Sequence, residues 1–216
     1  MSELLPIEIL RYCDAHTSDE DAVLKALYRD TYLNIAHPQM ISGKVQGQLL
    51  AMISRMVAPK AVLEIGTFTG YSTYCLSLGL AEGGRITTIE INEELEARNH
   101  KFFTDAGIAQ KIEYITGDTL KIIPQLEPSF DLIFLDANKE HYPAYLPLCK
   151  QALKVGGFLV ADNTLWGGKV AVSDSGDASS NMLDRFNKQL QSDRDFETVM
   201  LTVRDGLTLA WKKQIY

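Results

Sequence analysis

With 216 residues, 46% of them apolar and 23% charged, the chain can bury a substantial core and has the composition of an ordinary globular protein. Its net charge of −7 argues against nucleic acid and anionic membrane as partners and favours small neutral or cationic ligands, or a metal. Three widely spaced cysteines, Cys13, Cys75 and Cys149, argue against a disulfide framework and a zinc site and suit a reducing compartment.

The N-terminus, Met1-Ser2-Glu3-Leu4-Leu5-Pro6, lacks a basic, apolar leader, and no stretch has the length of a membrane span, so the expected location is the cytoplasm. No repeat or long linker divides the chain, and one domain is expected over 1–216, with a helical extension at 1–57 and the core at 58–216. In the extension, Thr17-Ser18-Asp19-Glu20 reads as a capping box before a helix carrying Val23, Leu24, Leu27 and Tyr28. A second amphipathic stretch runs from Val45 to Val57, with Leu49, Leu50, Ile53 and Val57 on one side. The segment between them, Ala36 to Gly47, reads as irregular because it holds Pro38, Gly43 and Gly47.

From Lys60 the pattern alternates. Strand-length apolar runs fall at Ala61–Ile65, Arg85–Ile91, Lys111–Thr116, Asp131–Leu135 and Phe158–Ala161. Helical stretches lie near Tyr71–Leu80, Glu93–Asp105, Thr119–Leu126 and Tyr142–Lys154, with Gly83-Gly84, Gly107 and Gly156-Gly157 expected to punctuate helix ends. Such alternation predicts an α/β fold with a parallel sheet covered on both faces. After a helix near Ser180–Ser192, Phe196–Val203 and Leu207–Lys212 flank Arg204-Asp205-Gly206, so the sheet is expected to end in an antiparallel hairpin. The expected class is a Rossmann-like, doubly wound, seven-stranded sheet that is mostly parallel.

In such sheets ligands bind beyond the carboxyl ends of the strands. The turn after the first strand reads Glu64-Ile65-Gly66-Thr67-Phe68-Thr69-Gly70, with Phe68 where a dinucleotide fingerprint has its middle glycine. That glycine allows backbone contact with a pyrophosphate, so a ligand without pyrophosphate does not need it. Glu90 closes the second strand twenty residues after Gly70, where an acid can grip ribose hydroxyls. A nucleoside lacking a diphosphate fits better than NAD. Alternatively, Gly66 and Gly70 simply shape a turn and Glu90 is a solvated strand end.

The segment Leu63-Glu64-Ile65-Gly66-Thr67-Phe68-Thr69-Gly70-Tyr71-Ser72 resembles motif I of class I S-adenosylmethionine (SAM)-dependent methyltransferases, specifically the cation-dependent O-methyltransferases of the caffeoyl-CoA and catechol type. The resemblance runs from about Gln39 to Trp211.

Two further strand ends carry hard oxygen donors, Phe134-Leu135-Asp136 and Ala161-Asp162-Asn163, both expected to face the same crevice as Gly66. Two carboxylates and an amide suit Mg²⁺, Mn²⁺ or Ca²⁺ and not zinc, although an Asp after a strand is also a common helix cap. The resemblance makes Asp136, Asp162 and Asn163 the metal ligands and Lys139 the catalytic lysine, with Asp136 touching both metal and SAM. It departs at Asn138, where the commoner bacterial form has Asp.

The resemblance also assigns SAM contacts to Glu64, Gly66, Ser72, Glu90 and the Gly117-Asp118-Thr119 turn. Met40 and Ser42 match a closing loop, though Gly43 stands where the family usually has Ser or Thr. Trp166, in Thr164-Leu165-Trp166-Gly167-Gly168-Lys169-Val170, either walls a flat aromatic substrate or plugs the core. The Ser-, Asp- and Gly-rich stretch Val172–Ser180 reads as a mobile loop of the kind that sets substrate choice. His141 reads as a surface residue and Cys75 as packing.

The expected activity is cation-dependent methyl transfer from SAM to a hydroxyl of a catechol-type small aromatic molecule. Lys139 would serve as proton acceptor or would steady the phenolate. Alternatives are a nucleotide-cofactor oxidoreductase and a SAM-binding interaction module without catalysis. The resemblance also implies a homodimer.

Overall fold

The computed structural model describes residues 5–127, 129–172 and 176–214. Part of the leader reading, at Met1-Ser2-Glu3-Leu4, and the part of the loop reading at 173–175 lie outside the described residues. Two compact units make up the chain, one built on Glu8–Asp118 and the other on the residues from Thr119 onward. Among the described residues seven strands form a mixed sheet, as the alternation of apolar runs predicts.

The first unit begins with α1 (Ile7–Ala15), which buries no side chain, and α2 (Ala22–Asn34). The cap of α2 is Asp21, whose carboxylate accepts the Leu24 N–H at 2.9 Å. The capping box at Thr17–Glu20 is not formed. The Thr17 hydroxyl instead donates to the Cys13 carbonyl at the end of α1, and Glu20 accepts the Tyr71 hydroxyl. Helix α3 (Gly43–Val57) starts before the predicted Val45. Its buried face is Gln46, Gly47, Leu50, Ala51, Ile53 and Ser54, shifted from the predicted apolar stripe. Small and hydroxylated residues belong there because α4 (Tyr71–Ser77) packs close. A Cβ on Gly47 would come within 2.6 Å of the Tyr71 ring, and the Ser54 hydroxyl donates to the Leu76 carbonyl at 2.6 Å.

Strands β1 (Ala61–Ile65), β2 (Arg85–Glu90) and β3 (Ile112–Thr116) pair in parallel in the order β3-β2-β1. Ile91 falls outside β2 and is exposed. Helix α5 (Glu96–Asp105) follows a short 3₁₀ turn at Glu93–Leu95 and buries Asn99 and Phe103.

The second unit opens with the short α6 (Thr119–Ile122), which passes into a 3₁₀ turn containing Pro124. Strand β4 (Phe130–Leu135) is parallel to β5 (Leu153–Asp162), and α7 (Tyr142–Ala152) lies between them in sequence. Leu132 to Leu135 have no exposed surface, which explains the unbroken apolar run. The pair Gly156-Gly157 does not end α7, as the sequence suggests. It sits inside β5, in an irregularity where Phe130 faces Leu153 but Leu132 faces Phe158. Gly156 has φ +82°, so the extra residues bulge out of the ladder there. Helix α8 (Ala178–Ser192) begins on the Asp177 cap and buries Ser180, Leu183, Phe186 and Leu190. Strands β6 (Phe196–Leu201) and β7 (Leu207–Lys212) are antiparallel, as predicted, with a longer turn than predicted. Strand β7 lies between β5 and β6. Among the described residues, no helix is long and apolar enough to cross a membrane.

Candidate active site

In the first unit the glycine turn hangs on the end of β2. The Gly66 N–H donates to the Ile89 carbonyl at 2.9 Å, and the Gly117 N–H donates to the Glu90 carbonyl at 2.8 Å. Both glycines have positive φ, +97° and +145°. Phe68, in place of the middle glycine, also has positive φ (+49°), which is costly for a bulky residue and needs support. Two side chains supply it. The Glu90 carboxylate accepts the Phe68 N–H at 2.7 Å, and the Asn99 amide donates to the Phe68 carbonyl at 2.8 Å. The second oxygen of Glu90 accepts the Asn92 N–H at 2.9 Å. Each carboxylate oxygen has a further lone pair, so Glu90 can shape the turn and still accept a hydroxyl donor.

Glu64 is fully buried on β1, and its carboxylate accepts the hydroxyls of Thr73 and Thr88, the latter at 2.6 Å. It thereby ties α4 and β2 to β1. Ser72 is buried in the first turn of α4, and Ser42 is buried just before α3. Met40, on a 3₁₀ turn, is 57% exposed. Asp118 is half-buried, and Thr119 starts α6. Thus Gly66, Glu90 and Gly117 meet at one strand end. The Met40 N–H donates to the His37 carbonyl at 3.0 Å, within its own turn.

In the second unit Asp136 follows β4 and its carboxylate takes the Lys139 ammonium at 2.6 Å, with both side chains largely out of solvent. The same ammonium lies 5.7 Å from the centre of the Tyr142 ring. Asp162 ends β5, is 4% exposed, and accepts the Asn163 N–H at 2.6 Å. The fully buried Tyr142 hydroxyl lies within hydrogen-bonding distance of the Leu135 and Asp162 carbonyls. Burial first, then the charges of Asp136 and Asp162, push its pKa well up, so it stays a donor. Asp136, Lys139, Asp162 and Asn163 therefore stand on two adjacent strand ends joined by one phenol. The exposed His141 packs beside Tyr145.

Asp205, which the sequence presents only as a residue of the last turn, reaches Asn163. Its buried carboxylate accepts the Gly167 N–H and lies 3.4 Å from the Asn163 amide nitrogen. Burial raises its pKa, while those two donors, Lys139 and Arg204 act the other way. The loop it supports contains two residues other than glycine with positive φ, Asn163 (+57°) and Trp166 (+47°). The Trp166 indole N–H points at the Asp177 carboxylate at 3.2 Å, so its polar edge is tied to the start of α8.

Among the described residues no group of three or more His, Cys, Asp or Glu is placed to hold a metal. The set Asp136, Asp162 and Asn163 is of another kind, two carboxylates and an amide oxygen. Its donor types fit a hard cation: Asp136 and Asp162 supply anionic oxygens, and the Asn163 amide nitrogen lies toward Asp205, which leaves the amide oxygen on the opposite side.

The family model described as O-methyltransferase matches residues 14–213. A caffeoyl-CoA O-methyltransferase of Eucalyptus gunnii is 36% identical over 82% of this chain and 75% of its own length. Tricin synthase 1 of Oryza sativa subsp. japonica is 33% identical over 79% and 73%. Among solved structures, the O-methyltransferase TomG of Streptomyces achromogenes, in complex with SAM, superposes with a TM-score of 0.85 at 29% identity over 96% of each chain. An O-methyltransferase of Bacillus cereus, in complex with SAH, has a TM-score of 0.87 at 25% identity over 95% of this chain and 97% of its own. The match along nearly the whole chain, from the helices before the glycine turn to the last strand, places this enzyme in the O-methyltransferase family.

Proposed function

We propose that the enzyme transfers a methyl group from SAM to one of two vicinal hydroxyls of a small aromatic molecule, with the acceptor held on a divalent cation. The glycine turn, Glu90 and the Gly117 turn are the SAM side. TomG and the Bacillus cereus enzyme, whose structures hold SAM and SAH, support that assignment. The donor side needs little acid–base chemistry, because the thioether leaves without a proton; it needs alignment.

The observation that carries the acceptor side is the pair of strand ends with Asp136 and Lys139 on one and Asp162 and Asn163 on the other. Asp136, Asp162 and Asn163 would hold the cation, which when bound lowers the pKa of a coordinated hydroxyl. Three protein oxygens leave room for two adjacent hydroxyls of a catechol. Lys139 either takes the hydroxyl proton or steadies the phenolate through its charge. Trp166, its indole N–H held by Asp177, offers a flat apolar wall for the ring.

The test is incubation with SAM, Mg²⁺ and a panel of catechols, with and without chelator, read by mass spectrometry. Single methylation that disappears with chelator is expected. Methylation surviving complete metal removal would refute the metal assignment, and an untouched panel would refute the catechol acceptor.

A further inference from the structure

We infer that Asp205 is a positioning residue that sets which end of the Asn163 amide faces the cation; this rests on the metal assignment proposed above. An amide has one end that accepts and one that only donates, and the two ends have nearly the same shape. Nothing in Asn163 alone decides between them. The partner decides. A carboxylate accepts hydrogen bonds, so the Asp205 oxygen 3.4 Å away takes the NH₂ group and turns the oxygen of Asn163 outward.

Asp205 is itself fixed on several sides. It is buried, and its other carboxylate oxygen accepts the Gly167 N–H. Its backbone carbonyl accepts the Leu165 N–H at 2.9 Å, and the Gly206 carbonyl accepts the Thr164 N–H at 3.1 Å. The Asn187 amide and the Thr208 hydroxyl hold Thr164 at 2.8 and 3.0 Å. The loop carrying Asn163, at φ +57°, is thus pinned to the β6–β7 turn along its length, with Asp205 as the contact that reads the side chain. Residues supporting a metal ligand orient it in the same way in many metal sites.

The consequence is specific to Asp205→Asn, which keeps shape but offers one oxygen and one NH₂. With the oxygen retained on the Gly167 N–H, the new NH₂ faces the NH₂ of Asn163. Asn163 then turns over and presents to the cation a nitrogen with no lone pair to give. Asn163→Asp in the same background removes the conflict, since a carboxylate accepts on one oxygen and ligates with the other.

Mn²⁺ affinity is measured by calorimetry on the unmodified enzyme, Asp205→Asn, Asn163→Asp and the double variant, without SAM or acceptor, alongside melting curves. Asp205→Asn is expected to bind Mn²⁺ roughly 10–100-fold more weakly with an unchanged fold, and the double variant to recover most of that loss. A merely structural role for Asp205 would move the melting curve and would not be repaired by a second change at Asn163. Unaltered Mn²⁺ binding by Asp205→Asn, or a double variant as weak as the single, overturns the inference while leaving the metal site standing. Absence of Mn²⁺ binding by the unmodified enzyme overturns the metal assignment and this inference together. If Asp205→Asn does not fold, tighter binding by the double variant than by Asn163→Asp supports the coupling, and equal binding overturns it.

Discussion

The hydroxyl of Tyr142 lies 3.0 Å from the carbonyl oxygen of Asp162 and 3.1 Å from that of Leu135. A phenol has one proton to give, so the two carbonyls share it, and the two strand ends that carry the acidic site residues cannot separate without losing it. Tyr142→Phe leaves both buried carbonyls without that donor. The expected cost is about 1–3 kcal/mol in urea unfolding, with turnover falling further than SAH affinity. Unfolding and turnover both matching the unmodified enzyme would show that the phenol is filler.

Lys139 and Asp136 form a 2.6 Å ion pair beside the proposed acceptor. Lys139→Met is expected to lower kcat by roughly 10²–10⁴, with SAH affinity by calorimetry essentially unchanged. Lys139→Arg distinguishes the two roles. Arginine keeps the charge but cannot release a proton near neutral pH, so turnover close to normal would eliminate lysine as the base.

Asp162→Ala removes one of the two carboxylates from the proposed cation set. Turnover supported by Mg²⁺ should vanish while SAH still binds. Loss of SAH binding by a variant with a normal circular dichroism spectrum would mean that the cofactor and acceptor duties are not divided between the two groups of residues.

The loop carrying Trp166 should loosen in acid. Hydrogen bonding by Lys169 first, then by the Ser180 N–H and the Trp166 indole, lowers the Asp177 pKa from 3.8 to about 2. A depressed carboxylate pKa stabilises the folded state above the unfolded value, and that contribution fades as pH falls through the folded one. The window is therefore between pH 3.8 and about 2. The chain has two tryptophans, so Trp211→Phe leaves Trp166 as the fluorophore. Its emission should shift across that window, and Asp177→Asn should abolish the step. An unchanged step in Asp177→Asn would assign it to other carboxylates.

The strands were legible because buried parallel strands need unbroken apolar runs, and Leu132 to Leu135 could hardly be read otherwise. Asp136, Asp162 and Asn163 stand out in the sequence because a strand's carboxyl end is a place where polar residues need a reason. The α3 face misled because close helix contact selects Gly47 and Ser54 over larger apolar residues. Gly156-Gly157 misled because glycine serves a strand bulge as readily as a helix end. Asp205 was hidden for a different reason. Aspartate already satisfies what a turn requires, and its partner Asn163 is 42 residues away in sequence.

The insertion of β7 between β5 and β6 has a consequence for biosynthesis. Residues 61–117, which carry the glycine turn and its acid, can all be made and paired while the ribosome is still working on the rest. The edge of β5 that ends in Asp162 must wait for Leu207–Lys212, because those residues are its antiparallel neighbours. A nascent chain can therefore have the glycine turn assembled well before the acidic strand ends have their supporting strand, and a stall anywhere short of residue 207 leaves the side of β5 that β7 will cover open to any other strand in reach.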